Sequence, residues 1–580
     1  MRRWLMLAFA VLIPAIVGAN DAKLAPELKQ AAGNQTVSVI VQYKAVPSAV
    51  HKSRIRMMGG TVGKDLTLVK SVTARMSSSA VAALSEDDSV AYISPDRPMR
   101  SHMNNAAPAV LANYAWGLGF DGSGIGVAVI DSGIHDVDDL RDSSGQSRIT
   151  YSLDLVGGGT DDGYGHGTHV AGIIGGNGKD SSCPTCNATI RGIAPNVSLI
   201  NLRALDNNGQ GSDSTVIAAI QAAIQLKGTY NIRVINLSVG RPVYESYTQD
   251  PVCQAVEQAW QAGIVVVVSA GNDGRDNSMG INGYGTIEAP GNDPYVITVG
   301  AMNTKGTPDR SDDVMTSYSS KGPTVGDSIV KPDLVAPGNR VVSLQEPGTL
   351  LQTYPQNRPS TGYYMKGIIP RPSSSYFTLS GTSMATGVVS GAAALMLQQD
   401  PTLTPDQVKA RLMKTAYKNL PPYTTVVDTT TVNGGGTFYI QSDGFTVGAG
   451  YLDVQAALSN TDLAPGVAKS PTAYYDASSG NVFFLADSTT PWGQSAMWGA
   501  SAVWGNNIFL TGDSAMWGNS AMWGSSAMWG NSAMWGNSAM WGNSAMWGNS
   551  AMWGNSAMWG NSAMWGNSAM WGNLAISGEN

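Results

Sequence analysis

Five short runs of β-branched apolar residues recur along the middle of the chain: GVAVI (126–130), VSLINL (197–202), RVINLSV (233–239), IVVVVSA (264–270) and YVITVGA (295–301). Such runs suit strands buried on both faces of a parallel sheet. Helical stripes lie between them. STVIAAIQAAIQLK (214–227) sets Val216, Ile217, Ile220 and Ile224 on one face, and PVCQAVEQAWQAG (251–263) repeats the pattern and stops on glycine. Strand and helix in alternation predict an α/β fold with right-handed crossovers.

At 580 residues the chain exceeds one ordinary core, so more than one domain is expected. Residues 36–95 read as a small α+β unit, with strands at VSVIVQY (37–43) and AYISP (91–95) and a helix at AVAALSED (80–87). A polar junction over 96–107 separates it from the second unit, which starts near Gly119. Residues 461–491 read as a linker or a small cap, and a hexapeptide repeat follows. Charged residues make up 13%, net charge is −7, and no run of like charge occurs. This argues against nucleic acid or an anionic membrane as a partner. The first residues, MRRWLMLAFAVLIPAIVGAND, place two arginines before an apolar run over 4–17 and small residues up to Ala19. That is the pattern of a secretory signal cut after Ala19, too short for a span of about 20 residues, and no other segment reads as a transmembrane anchor. Of the three cysteines, Cys183 and Cys186 form a CxxC that suits a local disulfide better than zinc, free thiols staying open, and Cys253 is left over.

Function in open α/β sheets gathers at the carboxyl ends of strands. Asp131 directly follows GVAVI, and Asn272 follows IVVVVSAG. His166 opens the helical pattern HGTHVAGII, and Ser383 opens TSMATGVVSGAAALML. Each is flanked by glycine, which lets backbone or substrate approach closely. A serine needs a base to take its proton, a histidine serves near neutral pH, and a buried carboxylate fixes the histidine tautomer. Taken singly, a strand-end Asp or a helix-start Ser is more often a cap. The combination points to nucleophilic catalysis.

The stretches VAVIDSGI, HGTHVAGI and SGTSMAT resemble the three signatures of the subtilisin-like serine proteases, and SAGN resembles that family's oxyanion segment. GIAP (192–195), INLSVG (235–240), YSSKGP (318–323) and PDLVAPG (332–338) follow in the family's order, so the likeness covers about 119–458. It implies a doubly wound, mostly parallel sheet and an endopeptidase acting on protein or peptide substrates. Ser383 would be the nucleophile, His166 the general base and acid, and Asp131 the orienting carboxylate, while the Asn272 amide and the Ser383 N–H would hold the oxyanion. Substrate would add as a strand between Gly209–Gly211 and Ser238–Gly240, with the floor of the P1 pocket near Ala270 and Gly271. Small apolar walls there predict an apolar or aromatic P1 side chain. His169 matches the family's structural second histidine. The chemistry needs no cofactor. Structural calcium fits the resemblance, Asp139 lying near a family calcium ligand, but the insertion 178–190 replaces the completing loop, and no metal ligands are assigned. After SMAT, Gly387 and Val388 stand where relatives have proline and histidine; Gly387 is expected in the first turn of its helix.

The resemblance also gives the chain its divisions: signal 1–19, inhibitory propeptide 20–103 acting on its own protease, peptidase domain 104–460, linker 461–490 and tail 491–580. Cleavage between propeptide and protease is expected within 98–105. In the tail, one hexapeptide recurs ten times over 514–573, nine times as SAMWGN and once as SAMWGS, without a charged residue. An even period keeps strand alternation in phase, and Gly-Asn suits turns. The tail is therefore expected to be β-rich. It is either a spacer or an aromatic surface that binds envelope, polysaccharide or other copies of itself. Two functions remain: a secreted, surface-associated protease with an accessory tail, or an adhesive protein whose protease-like domain is inactive.

Overall fold

The computed structural model describes residues 20–25, 28, 35–95, 106–278, 280–428, 436–476, 481–485, 508–510 and 579. The expected signal peptide, the cleavage region 98–105 and the hexapeptide repeat lie outside them. The chain divides into two compact units, Met1–Arg100 and Ser101–Asn580.

In the first unit β1 (Thr36–Tyr43), α1 (Ala49–Met57), β2 (Thr61–Leu66), β3 (Ser71–Ser77), α2 (Ser78–Ser85) and β4 (Val90–Pro95) build an antiparallel sheet ordered β2-β3-β1-β4. Val39 and Val41 of β1 pack with Ile55, Val72, Leu84 and Ile93. The Ser77 hydroxyl caps α2 by accepting the Ala80 N–H at 3.2 Å. The sequence reading missed β2 and β3. TVGKDL has no buried residue and finds its place only by pairing with β3 at the sheet edge.

The second unit carries the predicted α/β architecture. Its elements run β5 (Gly126–Asp131), β6 (Ile149–Asp154), α3 (His166–Gly175), β7 (Ser198–Arg203), α4 (Asp213–Tyr230), β8 (Ile232–Leu237), α5 (Pro251–Gln261), β9 (Val265–Ser269) and β10 (Ile297–Asn303). After them come β11 (Val314–Met315), β12 (Leu334–Pro337), β13 (Val341–Leu344), β14 (Tyr376–Leu379), α6 (Thr382–Gln399) and α7 (Pro405–Thr415). One eight-stranded sheet has the order β11-β10-β9-β8-β5-β7-β6, with β12 also on β10. Every pairing in it is parallel except that of β10 with β11. The chain starts at β5, builds β6 and β7 on one side, then crosses to β8 and β9 on the other. The strand order therefore reverses at β5, and such a switch point opens a crevice at the carboxyl ends.

Local chemistry sets the helix starts. Asp250 caps α5 by accepting the Val252 N–H at 2.9 Å, and Pro251 takes the first helical position, where a missing N–H costs nothing. Helix α6 is buried from Thr382 to Leu397 and lies against both the sheet and α3. Small residues make that possible. A β-carbon on Gly391 would lie 2.5 Å from Ile193 Cβ, and one on Gly387 would lie 3.2 Å from Ile173 Cγ2 of α3. Gly387 is thus a contact point between the helices that begin with Ser383 and His166. It is also the sixth residue of α6 rather than part of its first turn, because the helix already begins at Thr382.

The stretch 461–490 differs from a linker. Its β17 (Thr472–Asp476) and β18 (Asn481–Leu485) pair as a hairpin, and β19 (Ile508–Leu510) adds in parallel to β18. Ser470 donates to Asp333 Oδ1 at 2.5 Å, and the same buried carboxylate meets Lys331 at 2.7 Å and Lys409 at 3.2 Å. A buried cluster of this kind leaves no room for a loose connector, since each ion needs all its partners. Beyond the repeat, Glu579 is 1% exposed. Its carboxylate meets Arg275 at 2.8 Å and accepts the Ser317 N–H at 2.9 Å, while its N–H and C=O pair with the Asn339 side chain at 2.8 Å each.

The start of α3 packs against the end of β5 without clearance. A β-carbon on Gly167 would lie 2.2 Å from the Gly133 carbonyl oxygen and 3.1 Å from Asp131 Cβ. On a Ser383→Ala background, Gly167→Ala is expected to cost about 1–3 kcal/mol in denaturant unfolding, the usual cost of overpacking. An unchanged midpoint would mean that the backbone at Gly133 yields freely.

Candidate active site

Asp131 closes β5, all of whose residues are buried, and is itself 1% exposed. Its Oδ1 accepts the Ser132 N–H at 2.8 Å and lies 2.8 Å from His166 Nδ1. A carboxylate only accepts, so Nδ1 carries the proton and Nε2 is left as the basic nitrogen. His166 reaches this position because Gly165, at φ 100°, turns the chain sharply into α3. A second buried carboxylate, Asp162, holds the turn. It accepts the Gly165 N–H at 2.7 Å, the Thr168 N–H at 2.8 Å and the Ser132 hydroxyl at 2.8 Å. Ser132 Oγ in turn accepts the Gly167 N–H at 3.0 Å, so the ends of β5 and α3 are knitted together. The sequence reading missed Asp162; its signal is an Asp three residues before a helix-entry glycine, a capping arrangement.

Ser383 is the second residue of α6 and 3% exposed. Gly381 before it has φ 155° and ψ 162°, a conformation essentially confined to glycine. Ser383 Oγ lies 3.5 Å from the Ser238 carbonyl, and the Ser238 hydroxyl donates to the Ser383 carbonyl at 3.1 Å. Among the described residues no hydrogen bond joins Ser383 to His166. Both nevertheless line one cleft with Asn272, Ser238, Gly209 and Leu350. Free enzymes often show long nucleophile–base contacts that tighten with substrate. Asn272 Oδ1 accepts the Thr382 N–H at 3.0 Å, which leaves the amide nitrogen as the donor facing the cleft. Asp131, Ser238 and Asn272 thus follow the adjacent strands β5, β8 and β9, while His166 and Ser383 begin the helices above them.

Electrostatics separate the two histidines. Burial disfavours the His166 imidazolium, but the Asp131 charge, its hydrogen bond and the Asp162 charge outweigh burial and hold the pKa above the ordinary value. His169 is fully buried, and burial followed by the nearby His166 pushes its pKa down to about 3. Its Nε2–H bonds the carbonyls of Val341 at 3.2 Å and Phe377 at 3.1 Å, so it ties α3 to β13 and β14 as a neutral ring.

Of the expected substrate-binding residues, Gly209 and Ser238 line the cleft. Gly211 is exposed and is not among the cleft-lining residues; a β-carbon on it would lie 2.5 Å from the Ala204 carbonyl oxygen. Gly240, Ala270 and Gly271 surround a residue the sequence reading overlooked, Glu288. Its N–H donates to the Ala270 carbonyl at 3.1 Å, and the next residue, Ala289, exchanges backbone hydrogen bonds with Arg241 at 2.8 and 3.0 Å. The Glu288 side chain fills the slot between Gly240 and Gly271. A β-carbon on Gly240 would lie 2.4 Å from its Oε2, and one on Gly271 would lie 2.8 Å from its Cγ. The expected small apolar walls are therefore corrected: a carboxyl group stands between them. Burial, then the charge and hydrogen bond of Asp273, push the Glu288 pKa well above the carboxylate range.

Calcium does not fit at Asp139. Its Oδ1 accepts the Asp180 N–H at 2.7 Å and its Oδ2 the Tyr376 hydroxyl at 2.9 Å, so donors from the insertion 178–190 and from β14 occupy both oxygens. Burial raises this carboxyl to about 6. Among the described residues, the group that could hold a cation is His135, Asp161 and Glu346, whose donor atoms lie within 4.8 Å of one another. There a 2.8 Å hydrogen bond already joins His135 to Asp161. Cys183 and Cys186 form a disulfide, and Cys253 is a buried free thiol whose Sγ lies 3.3 Å from Asn292 Oδ1.

In a Ser383→Ala chain followed by NMR, the His166 ring is expected to titrate above the ordinary histidine value of about 6.5. Asp131→Asn removes the charge that opposes burial and is expected to bring the pKa below that value. An unmoved midpoint would show that Asp131 does not set it.

A model of the subtilase family matches residues 122–444. The chain is 34% identical to the serine protease AprX of Bacillus subtilis over 398 residues, covering 65% of this chain and 82% of that protein. It is 32% identical to subtilisin E of the same species over 423 residues, covering 71% and 93%. The extracellular serine proteinase of a Thermus strain is 32% identical over 396 residues, covering 64% and 78%. With its α/β sheet, its switch point at β5 and these relatives, the chain belongs to the subtilase family of serine proteases.

Proposed function

We propose that this subtilase is a secreted, self-processed serine endopeptidase whose machinery is Asp131, His166, Ser383 and Asn272. Ser383 Oγ attacks the scissile carbonyl while His166 Nε2 takes its proton. The carbonyl oxygen becomes an oxyanion held by the Asn272 amide and the Ser383 N–H. His166 then gives the proton to the leaving amine, the peptide C–N bond breaks, and an ester to Ser383 remains. Water, activated by the same imidazole, hydrolyses that ester. Asp131 keeps Nδ1 protonated and steadies the imidazolium. The observation that carries this reading is the 2.8 Å contact of His166 with a buried Asp131 in a cleft shared with Ser383 and Asn272.

The extended substrate pairs with the edges at Gly209–Gly211 and Ser238–Gly240. The first unit serves as the inhibitory propeptide, which keeps the protease silent until export. Secretion is supported by the leader sequence and by the Cys183–Cys186 disulfide, a bond that persists in oxidising compartments. The repeat is the surface-binding element, with envelope, polysaccharide or another copy as its target.

A fluorophosphonate probe is expected to label the matured protein at Ser383, and Asn272→Ala to lower kcat about 10²–10³-fold with labelling retained in reduced rate. A matured chain that never labels would favour the adhesive reading. For the tail, deleting 514–573 while keeping 508–510 and Glu579 is expected to abolish binding to cell envelopes and leave casein cleavage intact. Undiminished binding would make the repeat a spacer.

A further inference from the structure

Glu288 is 9% exposed, and its side chain lies between Gly240 and Gly271. Two glycines, Gly240 and Gly271, are the residues that make room for it, since a methyl group on either would collide with its side chain. The carboxyl is not paired with a positive charge. Among the described residues no amide, hydroxyl or cation donates to Oε2. The nearest ionisable neighbour is Asp273, an acid, with which Glu288 shares a hydrogen bond. Arg241, whose backbone pairs with that of Ala289, has its guanidinium taken by Asp213 and Asp250, each at 2.9 Å.

A buried acid without a cation is costly unless it stays protonated or a partner arrives. Burial, then the charge and hydrogen bond of Asp273, hold the Glu288 carboxyl well above the usual carboxylate range. Gly271 directly precedes Asn272, and Gly240 lies two residues after Ser238; Asn272 and Ser238 both line the cleft. A P1 side chain held beside them would meet the Glu288 carboxyl. An aromatic P1 group would compete with Glu288 for the same space and leave its polar oxygens unpartnered, whereas an ammonium or guanidinium would supply the missing charge.

We propose that Glu288 is the specificity-determining residue of the P1 pocket and selects peptides with lysine or arginine at P1. This rests on the endopeptidase reading above. Arginine carries a fork that matches a carboxylate, and lysine a compact point charge, so both are accepted. The selection is a difference of affinities. Pairing with Glu288 favours the cation, and the filled slot excludes large apolar groups.

The test uses the matured full-length protein and peptide substrates that differ only at P1, as Lys, Arg, Phe or Ala. Lys and Arg are expected to exceed Phe in kcat/KM. Glu288→Gln keeps the shape but removes the charge, and is expected to lower the Lys:Phe ratio about tenfold or more, the worth of a charged hydrogen bond. Glu288→Gly empties the slot and is expected to reverse the preference, with the Phe rate rising. Fluorophosphonate labelling of each variant separates the two readings. If variants label and cleave but the Lys:Phe ratio does not change, or if Ala at P1 outruns Lys in the parent, the P1 assignment is overturned while the protease reading stands. If the parent does not label, the protease reading falls and this one with it.

Discussion

A carboxylate at the end of a strand buried on both faces must be satisfied by the protein itself, and much of this site follows from that need. Asp131 sits where β5 meets the switch point, with water excluded. The Ser132 N–H and the His166 ring satisfy its Oδ1, while Oδ2 has no hydrogen-bond partner among the described residues, so the charge leans on these two donors. To bring them there the chain must turn at once after the strand and enter α3 without clearance, and glycine at 133, 165 and 167 allows it. Asp162 repeats the solution one layer away, taking the N–H groups of Gly165 and Thr168. The imidazole is the product of this packing: its orientation, tautomer and raised basicity all come from groups that serve first to keep a buried ion satisfied.

The same economy explains what was legible in the sequence. Strands β5, β7, β8, β9 and β10 announce themselves because burial on both faces demands unbroken apolar runs, and α4 and α5 because a one-sided stripe has a fixed period. The four site residues stand out because glycines flank them at element ends. What stayed hidden depends on partners distant in the chain. ITYSLD becomes β6 only by pairing with β7, and YFTL becomes β14 only against β13. Asp162 reads as an ordinary loop acid until the turn it holds is folded. Glu288 is the sharpest case. Within TIEAP it looks like a surface glutamate, and only the hydrogen bonds of its own segment to Ala270 and Arg241 carry it between Gly240 and Gly271. The apolar P1 pocket is legible from its floor, Ala270 and Gly271, but the residue for which Gly271 and Gly240 leave room is not.

Insertions show a related substitution of means. Where a bound cation could have pinned Asp139, this chain supplies the Asp180 amide and the Tyr376 hydroxyl. Hydrogen-bond donors do the work of a positive charge, and the loop that brings the Asp180 amide carries the Cys183–Cys186 disulfide. The 461–490 stretch is held in a comparable way, by Ser470 completing the partners of Asp333.

Glu579 is held on the second unit by partners of its own: the Arg275 guanidinium, the Ser317 N–H and the Asn339 side chain. That attachment does not pass through β19. A single cut between Leu510 and Glu579 would therefore leave Glu579 in place until those contacts let go, and a gel that shows the chain in two pieces would not by itself show that the enzyme has lost either of them.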